Sequence, residues 1–363
     1  MEPTRLQSQH ASAALQNLFV ADALAMPVHW YYSLRDIEKA FPGGVRQLEP
    51  APQFHPSSIM SLHSTSSGGR RTTHAGTRHP EVVGEVILKG RQQYWNKPNT
   101  HYHQGMTAGE NTLNAQCARV LMRCLARTGG QYDPAAFLSD YIAFMCADVA
   151  QHNDTYAESY HRGFFANLQR GLPPERCAAV THDTPSIGGL VTVAPLVLSG
   201  SLRGIALDTI RAEVQTHVQL THPDALLLRI ADDYTLLLYT LLHNTDKGDV
   251  AGIIADTALR SMRLDLPGLM LKKRDDREVI GQLYSSACYI DGAWPGILYL
   301  LYKYYNQPEA ALIANTNLGG DNVHRGAVLG VLLGLIHGHT IVPWYNALTA
   351  RQQIDHEITQ LLS

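Results

Sequence analysis

Residues 315–338 read NTNLGGDNVHRGAVLGVLLGLIHG. Gly319 and Gly320 permit a tight turn, and Asp321 follows where a helix N-cap belongs. The apolar run behind it carries glycine at 326, 330, 334 and 338. A spacing of four lays these glycines along one helix face, where another helix backbone can come close. Each glycine costs roughly 1 kcal/mol against alanine in a helix, so tertiary packing has to hold the segment. The stretch therefore predicts a buried central helix with a polar N-terminus facing a cleft. Taken alone, Asp321 reads equally well as a plain cap.

The surrounding chain fits a helical protein. Its 363 residues are 45% hydrophobic and 17% charged, enough for one large core. Residues 8–25 show apolar spacing of three and four and end before Pro27. Further helices are predicted at about 81–95, from Asn111 onward, and at 134–151, 154–169, 186–199, 204–218, 223–243, 248–261, 276–286, 291–305 and 308–316. Few stretches alternate with period two, and no fixed-period repeat is visible. The expected fold is all-α, one compact domain over 1–363, with a loop-rich lid at about 42–80. The lid holds SLHSTSSGGRRTTHAGTRHP, with His63, Ser64 and His74.

A net charge of −3 shows no basic face, which argues against nucleic acid and anionic membrane as partners. The N-terminus lacks a basic start followed by an apolar core, so no signal peptide is expected. Five cysteines form no CxxC pair and read as reduced thiols of a cytoplasmic protein. Oligomeric state leaves no mark on the sequence.

Four polar clusters are candidates for chemistry. They are DALAMPVHW at 22–30, the segment 101–112 ending Gly-Glu-Asn-Thr, TPSIGGLVTVAP at 184–195, and Asp321 to Arg325. Glu110 and Asp321 each stand near a glycine-preceded helix start. A carboxylate there is favourable by about 0.3–1 kcal/mol as a cap. Two of them meeting in a cleft would bind a cation or form an acid–base pair.

In this order the clusters resemble the motifs of the ADP-ribosylglycohydrolase family, which includes dinitrogenase-reductase-activating glycohydrolase and jellyfish-crystallin relatives. Residues 21–29 follow its G-D-A-L-G-x-P-x-E, Gly109 to Thr112 its T-D-D-T, residues 186–195 its S-N-G-x-x-M-R-x-x-P, and residues 317–324 its N-x-G-G-D-T-D-T. The resemblance spans nearly the whole chain. It implies an orthogonal helical bundle and a cleft where those motifs converge. It also implies two Mg²⁺ ions held by six positions, which here read Gly109, Glu110, Asn111, Asp321, Val323 and His324. Only Asp321 keeps the family residue. Magnesium wants hard oxygen ligands, so the dimagnesium centre is expected to be lost and no other cofactor is expected. The motif-one glutamate is His29, and the ribose-loop Asn and Arg are Ile187 and Thr192.

What remains is a coherent polar set. The leading expectation is a remodelled hydrolase or lyase that acts on a small molecule by acid–base chemistry. His29 and His324 are the candidate bases, since imidazole titrates near neutrality. Glu110 and Asp321 would orient an imidazole or hold a cationic substrate. Arg325 would clamp an anion or pair with Asp321. Asn111, Asn322, Ser186, Gly188, Tyr102, His103 and Trp294 complete the expected substrate-binding set. Three alternatives stand beside it. One is a transition-metal enzyme using His29, Glu110, Asp321 and His324. The others are a conventional ADP-ribosyl hydrolase and a non-catalytic, crystallin-like binding protein.

Overall fold

The computed structural model describes residues 4–60, 82–244, 248–272 and 274–363. Among them are sixteen α-helices and no β-strand. In chain order these are α1 (Arg5–Ala25), α2 (Leu34–Ala40), α3 (Leu113–Arg127), α4 (Pro134–Met145), α5 (Ser159–Gln169), α6 (Val193–Leu202), α7 (Leu207–Gln219) and α8 (Ala225–His243). Then follow α9 (Val250–Met262), α10 (Leu266–Leu271), α11 (Asp276–Val279), α12 (Ile290–Tyr304), α13 (Pro308–Asn317), α14 (Asn322–His337), α15 (Val342–Asn346) and α16 (Arg351–Leu362). The predicted all-α class is what the chain adopts.

The pair α1 and α14 forms the middle of the molecule. Asp321 caps α14 and Gly338 ends it in the left-handed conformation at φ +66°. Every residue of α14 from Asn322 to Ile336 is buried. The glycine stripe lies on α1. A Cβ at Gly330 would stand 2.4 Å from the Asn17 carbonyl oxygen, and one at Gly334 would stand 2.5 Å from Ala14 Cα. The backbones touch because neither position carries a side chain. The small residues Ala13, Ala14 and Ala21 answer from α1. Helices α8, α12 and α13 cover the rest of α14, while α3, α6 and α16 close around α1. Residues Arg5–Val28 are long and apolar enough to cross a membrane, but 89% of that window is buried inside this fold. Packing on α14 accounts for its composition.

Two expectations need correction or limits. Residues 82–95 form turns and one 3-10 turn at Gln92–Tyr94, not a helix. Gly84, Leu88 and Gly90 all have positive φ there, and each interrupts a right-handed helix. The part of the expected lid at 61–80, with His63, Ser64 and His74, lies outside the described residues. Helices α2, α10, α15 and α16 carry no prediction from the sequence.

Candidate active site

The chain leaves α1 through a 3-10 turn at Met26–Val28, and Pro27 sits at its start. This delivers His29 and Trp30 to the N-terminal end of α14. Trp30 takes φ +59°, an uncommon conformation for a bulky residue. It is pinned there: its N–H donates to the Gly320 carbonyl at 2.7 Å, and the Gly320 N–H donates to the Tyr31 carbonyl at 2.7 Å. A Cβ on Gly319 would lie 2.1 Å from the Tyr31 oxygen, and one on Gly320 would lie 2.0 Å from the Ser286 oxygen. Both glycines of the turn are required by these close approaches. Arg325 holds the turn from beneath, donating to the Gly319 carbonyl at 2.9 Å and to Asn315 Oδ1 at 2.7 Å.

Five ionisable side chains then join in a buried line. The Asp154 carboxylate lies 2.7 Å from His103 Nδ1, and His103 Nε2 lies 2.7 Å from His29 Nδ1. His29 Nε2 lies 3.0 Å from the Asp321 carboxylate, and His324 Nδ1 lies 3.0 Å from the same group. His324 Nε2 in turn points to Glu158, 3.9 Å away. Trp30 stacks on the His29 ring with centroids 3.8 Å apart. His101 bonds the Pro27 carbonyl at 3.0 Å and His55 bonds the His29 carbonyl at 2.9 Å, which ties the covering loops to the 27–29 turn.

Donor counting fixes the protons along this line. Both aspartates only accept, so His103 carries its Nδ1 proton and His29 its Nε2 proton. His29 Nδ1 and His103 Nε2 share the hydrogen bond between the two rings. Burial pushes His29 down to about 3, against the pull of Asp321. At the other end, Asp321 and Glu158 outweigh burial and raise His324 to about 10. His103 and His324 favour the ionised forms of Asp154, at about 2, and of Asp321, far below the usual carboxylate range. Glu158 behaves oppositely. Burial raises it to about 8, with Asp183 and Asp321 adding to the effect against the opposing charge of His324. Its Oε2 accepts from Asn114 Nδ2 at 2.9 Å, while the buried Oε1 has no hydrogen-bond partner.

These shifts make stability depend on pH with a definite sign. Glu158, at 4.5 ordinarily and about 8 here, and His324, at 6.5 ordinarily and about 10 here, contribute stability at low pH that is lost as pH rises. His29, at 6.5 ordinarily and about 3 here, contributes stability that is lost as pH falls below 6.5. The thermal midpoint is therefore expected to be highest in mildly acidic buffer and to drop from pH 6.5 to pH 9. The loss should be on the order of a few kcal/mol. A calorimetric scan that is flat over that range would contradict the assignment.

Two chambers adjoin the line. The inner one, about 10 Å³, is lined by His29, His103, Asn114, Glu158 and His324 among others, and has room for a single water. The outer one is about 410 Å³. Trp30 and Tyr156 line both and form the boundary between them.

The residues singled out from the sequence fall into three groups. His29, His103, Asp321 and His324 meet in the buried line, and Tyr102 lines the outer chamber. Gly188 packs at the edge of the site, where a Cβ would meet Asn114 Nδ2 at 2.8 Å, Glu158 Oε2 at 2.9 Å and Ser186 Oγ at 3.3 Å. Ser186 is buried there with its hydroxyl unpartnered. The others are elsewhere. Glu110 accepts from the Thr107 N–H and from Asn153 in a local turn and does not enter the site. Asn111 donates to the Phe19 carbonyl and Asn322 to the Thr316 carbonyl, both as buried supports. Arg325 clamps the glycine turn and forms no ion pair with Asp321 among the described residues. Trp294 donates to Ser261 within the core.

The carboxylates at the start of α3 come from other segments. Asp22 accepts from the Thr112 N–H and hydroxyl, and Asp154 accepts from the Leu113 N–H at 2.7 Å. Burial raises Asp22 to about 6. Asp154 and Glu158 are the residues that motif matching missed. The one signal for Glu158 is an acidic residue just ahead of the α5 apolar face, where it occupies the N-cap without capping.

The six positions implied for a magnesium pair do not fit one. Gly109 has no side chain, Glu110 and Asn111 are spent elsewhere, and Val323 packs with Ala25, Met26 and Met106. Only Asp321 and His324 face the cluster, and Asp321 is engaged by two imidazoles. A set of two nitrogens and one carboxylate lacks the hard oxygen donors that Mg²⁺ demands.

A sequence model of the family described as ADP-ribosylglycohydrolase matches residues 2–363. A solved structure described as an ADP-ribosylglycohydrolase-related protein complex shares the fold, with a TM-score of 0.60 at 17% identity over 99% of each chain. The search of curated proteins finds no match.

Proposed function

The chain belongs to the ADP-ribosylglycohydrolase family, and from that premise we propose that it hydrolyses a small molecule by acid–base chemistry centred on Glu158, without the magnesium pair. The observation that carries this is a buried carboxyl group that lines a water-sized chamber beside the His324 imidazole, with no hydrogen-bond partner for its Oε1; burial raises it to about 8. Perturbed groups gathered in a cleft are the signature of such sites.

The step balances simply. Glu158 gives its proton to the leaving group of a substrate held at the boundary of the two chambers. The carboxylate left behind faces His324⁺ and the Asn114 amide, both of which favour its charge. Water in the inner chamber attacks, and its proton returns to Glu158. His324 therefore acts as a fixed positive charge rather than as a base. His29 has both ring nitrogens engaged and serves to position Asp321.

A second reading has its own support. One ligand atom each from His29, Asp321 and His324 all lie within 4.8 Å of one another. Two imidazoles and a carboxylate suit Zn²⁺ or Fe²⁺. One experiment separates the readings. The protein is incubated with a small-molecule extract, and mass spectrometry seeks a substrate whose two products sum to its mass plus one water. Turnover that survives exhaustive chelation is expected. Loss on chelation, restored by Zn²⁺ or Fe²⁺ but not Mg²⁺, would favour the second reading. No consumed molecule would favour a binding protein.

A further inference from the structure

The outer chamber has a feature that the acid–base line does not use. Arg162, on α5, lines it and is 8% exposed. Its guanidinium carbon stands 5.2 Å from the centroid of the Trp95 ring, a cation–π contact. Among the described residues it makes no ion pair, and its buried Nε has no hydrogen-bond partner. A buried cation without a carboxylate is costly unless something completes it. The other charged groups of the chamber are His182 and Asp183, which pair with each other at 3.0 Å, and Asp183 also accepts from the Ser159 N–H at 2.7 Å. That pair is satisfied within itself, and Arg162 is the lining cation that makes no ion pair among the described residues.

The rest of the lining is aromatic. Trp30, Tyr32, Tyr102, Tyr156 and Tyr289 supply faces and edges to a space of about 410 Å³. Such a wall favours a flat ligand, and the fork of an arginine matches a carboxylate through two parallel hydrogen bonds. A dianion would leave an excess negative charge beside Asp183.

We infer that the outer chamber binds an aromatic monocarboxylate, its ring against Trp30 and the tyrosines and its anion on Arg162. This deepens the proposed hydrolysis by naming the substrate class, and it rests on the outer chamber being where that substrate sits. Equilibrium binding needs no turnover, so the inference and the acid–base reading can fail separately.

The test is isothermal titration of the full chain with 2-naphthoate, 2-naphthamide and 2-naphthyl phosphate. Naphthoate is expected to bind at least tenfold more tightly than the amide, which has the same shape and no charge. Arg162→Gln should erase that preference while leaving the weak amide binding in place, and Arg162→Lys should keep part of it. Thermal unfolding of both variants checks that they fold; if the glutamine variant does not, the lysine variant still reports whether carboxylate affinity falls. Equal binding of acid and amide, no effect of either substitution, tighter binding of the phosphate, or no binding of any probe at millimolar concentration would each overturn the inference.

Discussion

Glu158→Gln is expected to fold as the parent does and to lose at least about a hundredfold in kcat, the usual scale for removing a general acid. The carboxyl is neutral at pH 7 because burial holds it near 8, so a neutral amide of the same shape costs little stability. The amide oxygen of the variant can still accept from Asn114, but an amide has no acidic proton to give. Parent kcat/KM should fall as pH rises through about 8, where Glu158 gives up its proton. His324→Gln removes a charge that lowers the Glu158 pKa, so in that variant the limb should move upward in pH. Turnover within threefold of the parent in Glu158→Gln, measured on the substrate found by the extract screen, would remove Glu158 from the chemistry.

Gly334→Leu is expected to give no native protein at all. A bare Cβ there already falls 2.5 Å from Ala14 Cα and 2.6 Å from the Ala13 carbonyl oxygen, both backbone atoms of α1. No side-chain rotation relieves a contact with backbone, so the two central helices would have to part. Even Gly334→Ala should lose about 1–3 kcal/mol by overpacking, after the gain in helix propensity of about 1 kcal/mol is counted. Gly248→Ala is the control, since nothing lies within 4 Å of its added methyl. Urea unfolding of the two alanine variants compares them directly. A midpoint for Gly334→Ala equal to that of the parent would mean that α1 and α14 do not pack as described.

The part of this that the sequence showed is the part written in spacing. Four glycines at intervals of four announced a close helix pair, and Gly319-Gly320-Asp321 announced a turn and a cap. Motif resemblance brought His29, Asp321 and His324 to one place. It misled at Glu110, because alignment equates positions and not the directions of side chains. Here the start of α3 is met by Asp22 from α1 and by Asp154 from an irregular loop. No periodicity marks which loop will fold over a helix end, so Asp154 and Glu158 were legible only as polar residues without a role. Arg162 was hidden for a related reason. Its guanidinium lies over Trp95, which comes far earlier in the chain, ahead of α3.

Trp30 has a consequence for access to the reacting atoms. Its ring stands at the boundary of the two chambers, yet its backbone is fastened on both sides to the glycine turn that caps α14. A doorpost set in the frame keeps its footing, since shifting its backbone would unseat the cap of the central helix. A backbone movement that widens the passage for an incoming molecule therefore falls to the opposite jamb, at Tyr156 and the chain before α5. Entry and the placement of the proposed proton donor, Glu158, are thereby written into the same few residues of chain.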